Sequence, residues 1–344
     1  MTGKTGLSRR GRPATADRGV SIRAVAARAQ VSIATVSRVV NGLPNMASPE
    51  TVARVRAAIA ELGYRPSSAG RSLRQRESRL VAVIAANLAN PAMTAISASV
   101  EVALRNRGLV LALCDSHDQA ELQDEYLLEM RAHLVRATVL LGAVASPKLV
   151  AMIETGEPLV FVNRRCPGDD DQPFIGIDNR QAGRDAAAFL LAKGIRDVAV
   201  AHGHLASSAT IDRIAGIGEA FADAGAPVPP ERFLTTQGAE HLEIGYRAAD
   251  HLLAAGRPPA GLICASDMIA FGAHRRLIEA GLAPGAMPRL LGFDDNPLNP
   301  WVAPWLSSVR IPYQAYGDAV VRMIDADAPR RIILAHQIVD RSPP

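Results

Sequence analysis

The stretch Ser21-Ile-Arg-Ala-Val-Ala-Ala-Arg-Ala-Gln-Val-Ser-Ile-Ala-Thr-Val-Ser-Arg-Val-Val-Asn41 decides how this 344-residue chain begins to fold. Apolar residues recur in it at helical spacing in two groups: Ile22, Val25, Ala26 and Ala29, then Val36, Val39 and Val40. Ser21 and Ser32 precede the two groups, where a hydroxyl can accept from the unpaired N–H groups of a first helical turn. The stretch therefore predicts two short amphipathic helices joined by a tight turn.

This pattern is typical of a DNA-reading helix-turn-helix, in which the second helix enters a major groove. Its leading residues Ile33, Ala34 and Thr35 would meet base edges, with Ser37 and Arg38 on the next turn. A small helical hairpin that binds no nucleic acid is the alternative that the spacing leaves open.

A third helix is predicted directly after this pair. Ser48-Pro49-Glu50 combines an N-cap with a first-turn proline. The apolar stripe behind it ends before Gly63 and comprises Val52, Val55, Ile59 and Leu62. The following segment, Tyr64 to Arg74, is basic and is interrupted by Pro66, so a short linker is expected there.

The charge of the chain is divided unevenly. Residues 1–78 hold 14 Lys and Arg against 4 Asp and Glu, whereas the remainder holds 24 against 30. A polyanionic partner for the N-terminal part follows from this division, although basic tails are often merely solvated. Residues 1–20 have little to bury and are predicted to be a disordered basic tail.

The region 79–344 predicts an α/β fold with parallel sheets covered on both faces, because apolar runs alternate with amphipathic segments. The runs are Val81–Ala86, Val110–Cys114, Thr138–Leu141, Leu159–Val162, Phe174–Ile177, Val198–Ala201, Gly261–Cys264 and Leu290–Phe293. Its length suggests two lobes. We place lobe 1 at about 79–178 and 309–327, and lobe 2 at about 179–308 and 328–344, with 308–312 crossing back to the first lobe.

Polar side chains stand where these runs end, and ligands of open α/β sheets bind beyond the carboxyl ends of strands. They are Asn87, Asn90, Asp115, Asn163, Arg164, Asp178, His202, Asp267, Asp294 and Asp295. Ordinary helix capping is the alternative for each of them.

The front of the chain resembles the LacI/GalR family of transcriptional regulators. The resemblance rests on Val31-Ser-Ile-Ala-Thr-Val-Ser-Arg-Val-Val-Asn-Gly42, Leu62-Gly-Tyr-Arg-Pro66 and Ala69-Gly-Arg-Ser-Leu-Arg74. It implies a helix-turn-helix domain at 21–65 and a hinge segment at 66–78, within which Ser68 to Arg74 becomes helical on DNA and Leu73 is wedged into the minor groove. The DNA-binding residues it implies, with the N-cap and hinge, are Ser32, Ile33, Ala34, Thr35, Ser37, Arg38, Ser68, Gly70 and Leu73. Gln30 and Gly70 depart from the family, which commonly has glycine and alanine at these two positions.

The rest of the chain resembles the effector domain of the same family, in the motifs Gly176–Asn179, Asp212–Gly216, Cys264–Ala273 and Leu291–Asp295. The resemblance implies effector contacts from Asp178, Arg213 and Asp267, although the arginine can equally brace the lobes. The full expected set is Asn90, Met93, Asn163, Arg164, Asp178, His202, Arg213, Asp267 and Asp294. Ala92 and Met93 stand where the family often has an aromatic pair, and Glu240 stands at a position that can be aromatic. We therefore expect a small polar effector, with a sugar or sugar acid ahead of a nucleobase.

Other classes of protein fit less well. The chain has no recognisable nucleophile motif, glycine-rich phosphate loop or metal-binding triad, so no enzyme, cofactor or metal is expected. No stretch is long and apolar enough to span a membrane, and we expect a cytoplasmic protein. Cys114, Cys166 and Cys264 are far apart and predict no disulfide.

The resulting hypothesis is a repressor-type switch. A homodimer places two reading helices on a near-palindromic operator, and an effector between the lobes changes their angle and thereby the hinge segments. The sign of the effect stays open. A two-lobed solute-binding protein and an architectural DNA-binding protein without an effector are the alternatives.

Overall fold

The computed structural model describes residues 20–40, 47–64, 78–238, 240–256, 258–325 and 329–341. The chain divides into two compact units between Glu77 and Ser78. The tail predicted for 1–20 and the hinge predicted for 66–78 lie almost wholly outside the described residues. The roles assigned to Ser68, Gly70 and Leu73 lie there too and stay predictions.

The first unit contains the three predicted helices, α1 (Ile22–Arg28), α2 (Ile33–Val40) and α3 (Pro49–Leu62). Each begins behind a serine whose Oγ accepts from the N–H three residues on, at 3.3 Å for Ser21, 3.1 Å for Ser32 and 3.2 Å for Ser48. Gly63 ends α3 in the left-handed region, at φ 63°. The three helices share one small core of Val25, Ala26, Ala29, Val36, Val55 and Ala58.

The turn between α1 and α2 contains a non-glycine residue in an unfavourable conformation. Gln30 has φ 54°, the left-handed region in which glycine carries no steric penalty. The backbone thus explains why a glycine is suited to this position.

The second unit contains two six-stranded sheets. The first has the order β11-β5-β4-β3-β1-β2 and is parallel throughout. Its strands are β1 (Leu80–Ala85), β2 (Val110–Asp115), β3 (Ala137–Leu141), β4 (Leu159–Val162), β5 (Phe174–Ile177) and β11 (Arg331–Leu334). The helices that accompany it are α4 (Pro91–Asn106), α5 (Ala120–Ala132), α6 (Pro147–Glu154) and α12 (Tyr313–Met323).

The second sheet has the order β12-β10-β9-β8-β6-β7 and is parallel except for the β10–β12 pair. Its strands are β6 (Val198–Ala201), β7 (Phe233–Leu234), β8 (Gly261–Cys264), β9 (Arg289–Asp294), β10 (Ser307–Arg310) and β12 (Gln337–Val339). Its helices are α7 (Asn179–Ala192), α8 (Ser208–Asp223), α9 (His241–Ala254), α10 (Asp267–Glu279) and the short α11 (Asn299–Val302). All eight apolar runs therefore form strands. Seven of them are buried throughout, which explains why they are continuously apolar, whereas the edge strand β2 exposes Val110 and Leu113.

Two helix pairs in the second lobe pack unusually closely because glycines face a neighbouring backbone. A Cβ on Gly216 of α8 would lie 2.0 Å from the Arg180 carbonyl oxygen of α7. A Cβ on Gly272 of α10 would lie 1.8 Å from the Leu242 carbonyl oxygen of α9. These approaches fix α8 against α7 and α10 against α9.

The chain passes between the lobes three times: after β5, after β10 and after β11. The predicted division assigns 328–344 to the second lobe, and this is wrong for 331–334, since β11 pairs with β5 in the first sheet. Without β11, the outer edge of β5 would leave its backbone groups unpaired. β10 belongs to the second sheet, so the predicted crossing at 308–312 begins only after Arg310.

Candidate functional site

The lobes meet at the carboxyl ends of their parallel strands. In the loop after β4, the Arg165 N–H donates to Ser208 Oγ at 2.8 Å, and the Arg165 guanidinium pairs with Asp212 of α8. At a second contact, Asn87 Nδ2 lies 3.4 Å from Glu240 Oε2. A cleft lined by strand-end residues therefore lies between the two sheets.

Arg213 connects three segments of the second lobe at this cleft. Its Nε donates to Asn179 Oδ1 at 2.8 Å, and its Nη1 donates to the Ala265 carbonyl at 2.7 Å. The guanidinium carbon lies 4.7 Å from the centre of the Phe293 ring. Nη1 lies 3.9 Å from Asp294 Oδ1, which is too far for a hydrogen bond but close enough for attraction. Arg213 is thus held in place by these contacts and lies beside Asp294 without a hydrogen bond to it.

Asp294 ends β9 with its backbone in an uncommon conformation, at φ 106°. Its carbonyl oxygen accepts from the Tyr313 hydroxyl at 2.7 Å, a contact that joins it to α12 of the first lobe. Burial raises the pKa of the Asp294 carboxyl and Asp267 adds to this rise, while Arg213 opposes it. The carboxyl is therefore a buried group that a ligand hydroxyl or a proton can stabilise.

Asp267 has structural partners on both carboxylate oxygens. Oδ1 accepts from Ser308 Oγ at 2.6 Å, and Oδ2 accepts from Asn296 N at 2.7 Å and Asn299 Nδ2 at 2.8 Å. Burial is the main cause that raises the pKa of this carboxyl. These bonds fix the loop that follows Asp294, so the geometry favours a positioning role over the expected effector contact.

Two of the expected contacts cap helices. Asp178 Oδ1 accepts from Gln181 N at 2.9 Å at the start of α7, and the residue is exposed. Asn90 Oδ1 accepts from Ala92 N at 2.9 Å at the start of α4. For both side chains, capping already accounts for the residue type.

The first lobe presents Arg164, Met93 and Asn163 at the cleft side. Arg164 Nη1 donates to Asp118 Oδ1 at 2.5 Å and lies 3.4 Å from the Gly142 carbonyl oxygen. A Cβ on Gly142 would lie 3.1 Å from Met93 Cε and 3.6 Å from Arg164 Nε, so both side chains lie next to Gly142. Asn163 adopts φ 69° directly after β4. Asp118, which the sequence interpretation omits, thus compensates the charge of Arg164.

Two histidines of the second lobe lie next to Gly203. His202 is buried, and its Nδ1 is 2.9 Å from the Gly203 carbonyl oxygen. The Nδ1 of His241, which sequence reasoning misses, is 3.0 Å from Ser266 Oγ. Its Nε2 lies 3.1 Å from where a Cβ on Gly203 would stand. Burial lowers the pKa of both rings, and the charges of Arg164 and Arg213 lower that of His241 further. In the sequence interpretation, only the neighbouring Glu240, at a position that can be aromatic in the family, points to His241.

Helix α2 presents its predicted reading residues outward. Val36 is fully buried, while Ile33 is 43% exposed. Ala34 and Arg38 are exposed, and Thr35 and Ser37 are partly exposed. Ser32 Oγ caps the helix through Thr35 N. The exposed side chains therefore include those at the N-terminal end of α2, which is the end that would enter a major groove.

The described ranges contain neither a membrane-spanning helix nor a metal-binding cluster. None of the helices there combines the length and the apolar composition needed to cross a lipid bilayer. No group of three or more His, Cys, Asp or Glu side chains in those ranges could hold a metal ion.

Comparison with known proteins assigns both units. The model of periplasmic binding proteins and the sugar binding domain of the LacI family matches residues 78–289, and that of the bacterial regulatory proteins of the lacI family matches residues 21–67. The chain belongs to the LacI family. This LacI-family regulator has a helix-turn-helix DNA-binding domain followed by a two-lobed ligand-binding domain with parallel sheets, which confirms the predicted family and fold class.

Its similarities extend over most of the chain. An uncharacterized HTH-type transcriptional regulator in the aml 5' region of Streptomyces limosus is 33% identical over 329 residues, covering 92% of this chain and 89% of that protein. The HTH-type transcriptional repressor PurR of Pectobacterium carotovorum is 30% identical over 307 residues, covering 88% and 89%. The relatives are thus named as regulators of transcription, not as enzymes.

Solved structures show the same architecture. A complex of the transcriptional regulator CelR with cellobiose has a TM-score of 0.68 at 27% identity and covers 93% of this chain and 98% of that one. A Lac repressor dimer bound to operator and an anti-inducer has a TM-score of 0.79 at 23% identity, covering 94% and 98%. At that identity the second likeness concerns the fold alone.

Proposed function

We propose that this LacI-family regulator is a repressor whose operator affinity is controlled by a sugar or sugar acid bound between the lobes. The observation that carries the proposal is the Arg213–Asp294 pair. At 3.9 Å the two groups attract each other without a direct hydrogen bond. A fork of N–H donors beside a carboxyl group suits vicinal hydroxyls, which both donate and accept.

The surroundings of this pair favour a hydroxylated ligand over a purine. Arg164, His202 and His241 contribute polar groups beside the apolar Met93, and a face of Phe293 is already covered by the Arg213 guanidinium. A purine gains much of its binding free energy by stacking on a free aromatic face. The CelR complex with cellobiose is a relative with a sugar ligand and supports the same class.

Exposed apolar surface supports a homodimer. On the second lobe Trp301 is 83% exposed, and Val302 and Leu298 beside it are also exposed. On the first lobe, Val110 and Leu113 are exposed along the edge strand β2. A second copy that covers both surfaces would remove this area from water and present two α2 helices to a near-palindromic site.

The proposed switch acts through the orientation of the lobes. An effector that binds one orientation more tightly than the other shifts their populations by that difference in affinity. The hinge at 66–78, with Ser68, Gly70 and Leu73, would transmit the change to Ile33, Ala34 and Arg38.

Isothermal titration calorimetry of the full chain tests the ligand class. The panel contains cellobiose, glucose, gluconate and hypoxanthine, each titrated into wild type, Asp294→Asn and Asp178→Ala. We expect one of the three carbohydrates to bind, with affinity reduced at least about tenfold by Asp294→Asn, equivalent to about 1.4 kcal/mol, and unchanged by Asp178→Ala. Binding of hypoxanthine alone would exclude the sugar class. Equal loss in the two variants would exclude the role of Asp294.

A further inference from the structure

We propose that Arg165 and Asp212 form a latch that fixes the relative orientation of the two lobes. Arg165 belongs to the loop after β4 in the first lobe, and Asp212 lies near the start of α8 in the second. Nη1 of Arg165 donates to Asp212 Oδ2, and its Nη2 lies 3.4 Å from Asp212 Oδ1. The planar guanidinium therefore engages both carboxylate oxygens across the boundary between the lobes.

The backbone of Arg165 reinforces the latch. Its N–H donates to Ser208 Oγ at 2.8 Å, and Ser208 is the first residue of α8. The Arg165 and Asp212 side chains are 24% and 21% exposed. A two-pronged pair that is largely shielded from water is stronger and less screened than an exposed ion pair.

A second carboxylate contacts Arg165 without crossing between lobes. Asp170 Oδ1 accepts from Arg165 Nε at 2.8 Å, and both residues lie in the loop between β4 and β5. The Asp170 side chain is 70% exposed. Asp170 orients the guanidinium, whereas Asp212 anchors it to the other lobe. The chain thus contains its own matched control for the latch.

The latch lies next to the effector cleft along the chain. Arg165 directly follows Arg164, and Asp212 directly precedes Arg213. A ligand that displaces Arg164 or Arg213 would therefore also move the neighbouring latch residue, Arg165 or Asp212. Two other contacts described between the lobes are single hydrogen bonds: Asn87 with Glu240, which is exposed and 3.4 Å long, and the Tyr313 hydroxyl with the Asp294 carbonyl oxygen, at 2.7 Å. The consequence for DNA binding rests on the proposed function, but the latch itself does not.

Distance measurement by double electron–electron resonance tests the latch in the full chain, without DNA or effector. Spin labels are attached at Glu129→Cys on α5 and His251→Cys on α9, two exposed positions in different lobes. Cys114→Ala removes the half-exposed native thiol, while Cys166 and Cys264 are buried and stay unlabelled. Labelled protein is diluted into unlabelled protein so that only distances within one chain contribute.

We expect a single narrow distance peak for wild type and for Asp170→Ala. Asp212→Ala is expected to shift or broaden the peak by several ångströms, with a circular dichroism spectrum like that of wild type. Arg165→Glu should broaden it as well, and adding Asp212→Arg should restore the narrow peak. If Asp212→Ala does not fold, Asp212→Asn keeps the side-chain shape and serves in its place.

Two results overturn the proposal: a wild-type distance distribution in the folded Asp212 variant, or an equal change in Asp170→Ala. Because no ligand is present, the measurement is independent of the calorimetric test of the effector. The two proposals can therefore fail separately: the distance measurement can support the latch when calorimetry finds no sugar binding, and calorimetry can find sugar binding when the distance measurement excludes the latch.

Discussion

Replacement of Gly216 by alanine should destabilise the protein, although alanine is the better helix former. The added Cβ would lie 2.0 Å from the Arg180 carbonyl oxygen and 2.9 Å from its carbonyl carbon. Both are backbone atoms of α7, so no side-chain rotation relieves the overlap. Helices α7 and α8 would have to separate by about 1 Å to restore an ordinary C···O contact of about 3.3 Å.

The expected magnitude combines two opposing terms. Overpacking costs about 3 kcal/mol at the upper end of its usual range, and alanine recovers about 1 kcal/mol of helix propensity. The net loss in free energy of unfolding is about 2 kcal/mol, which lowers Tm by about 4–8 °C in a unit of this size.

Gly218 is the matched control on the same helix. A Cβ there would meet only Phe233 Cζ, at 3.7 Å, which is ordinary van der Waals contact. Gly218→Ala should therefore keep the propensity gain and raise Tm by about 2–4 °C. Thermal unfolding of the full chain followed by circular dichroism gives both values. A Gly216→Ala variant at least as stable as Gly218→Ala would refute the reasoning, because the close approach of α7 and α8 would then cost nothing.

Three other predictions concern DNA, pH and assembly. Arg38→Ala should weaken binding to a selected duplex by about 1–3 kcal/mol and relax the preference for its sequence, as fluorescence anisotropy can measure. Arg54→Ala on α3 is the control. An unchanged sequence preference in Arg38→Ala would contradict the base contact. Burial raises the pKa of Asp294 in the folded state, so protonation of this carboxyl stabilises the fold. This stabilisation is complete below the unfolded-state pKa of about 4 and is lost as pH rises through the folded-state pKa. Tm of Asp294→Asn should therefore fall less than that of wild type between pH 5 and 8, and parallel curves would argue against this assignment. In sedimentation velocity experiments, Trp301→Glu should shift the sedimentation coefficient toward that of a monomer, whereas Val150→Glu, at another exposed position, should not. Identical sedimentation profiles for the two variants would count against the dimer surface.

The sequence predicts the elements whose signals are local. Ser21, Ser32 and Ser48 have the expected capping bonds because a cap depends only on residues three positions apart. Seven of the eight apolar runs are recognisable because a parallel sheet that is covered on both faces buries nearly every residue of its inner strands. The strands β7 and β12 have only two and three residues and offer no such run.

The site is less predictable because side-chain roles depend on what the fold brings together. Asp178 and Asp267 are both aspartates near a helix start, yet one caps in solvent and the other is buried among three donors. His241 reaches Ser266 only because α9 and α10 pack through their glycines. No spacing along the chain encodes these approaches.

The return of the chain to the first sheet has a consequence for synthesis. Strand β11 completes that sheet against β5, and α12 packs against α4, so the first lobe needs residues 313–334. During translation these residues leave the ribosome after nearly all of the second lobe. The outer edge of β5 and the apolar face of α4 therefore stay uncovered until synthesis is almost finished. Truncation near the C-terminus should expose both surfaces at once and make the nascent chain a client for chaperones that bind unpaired strands.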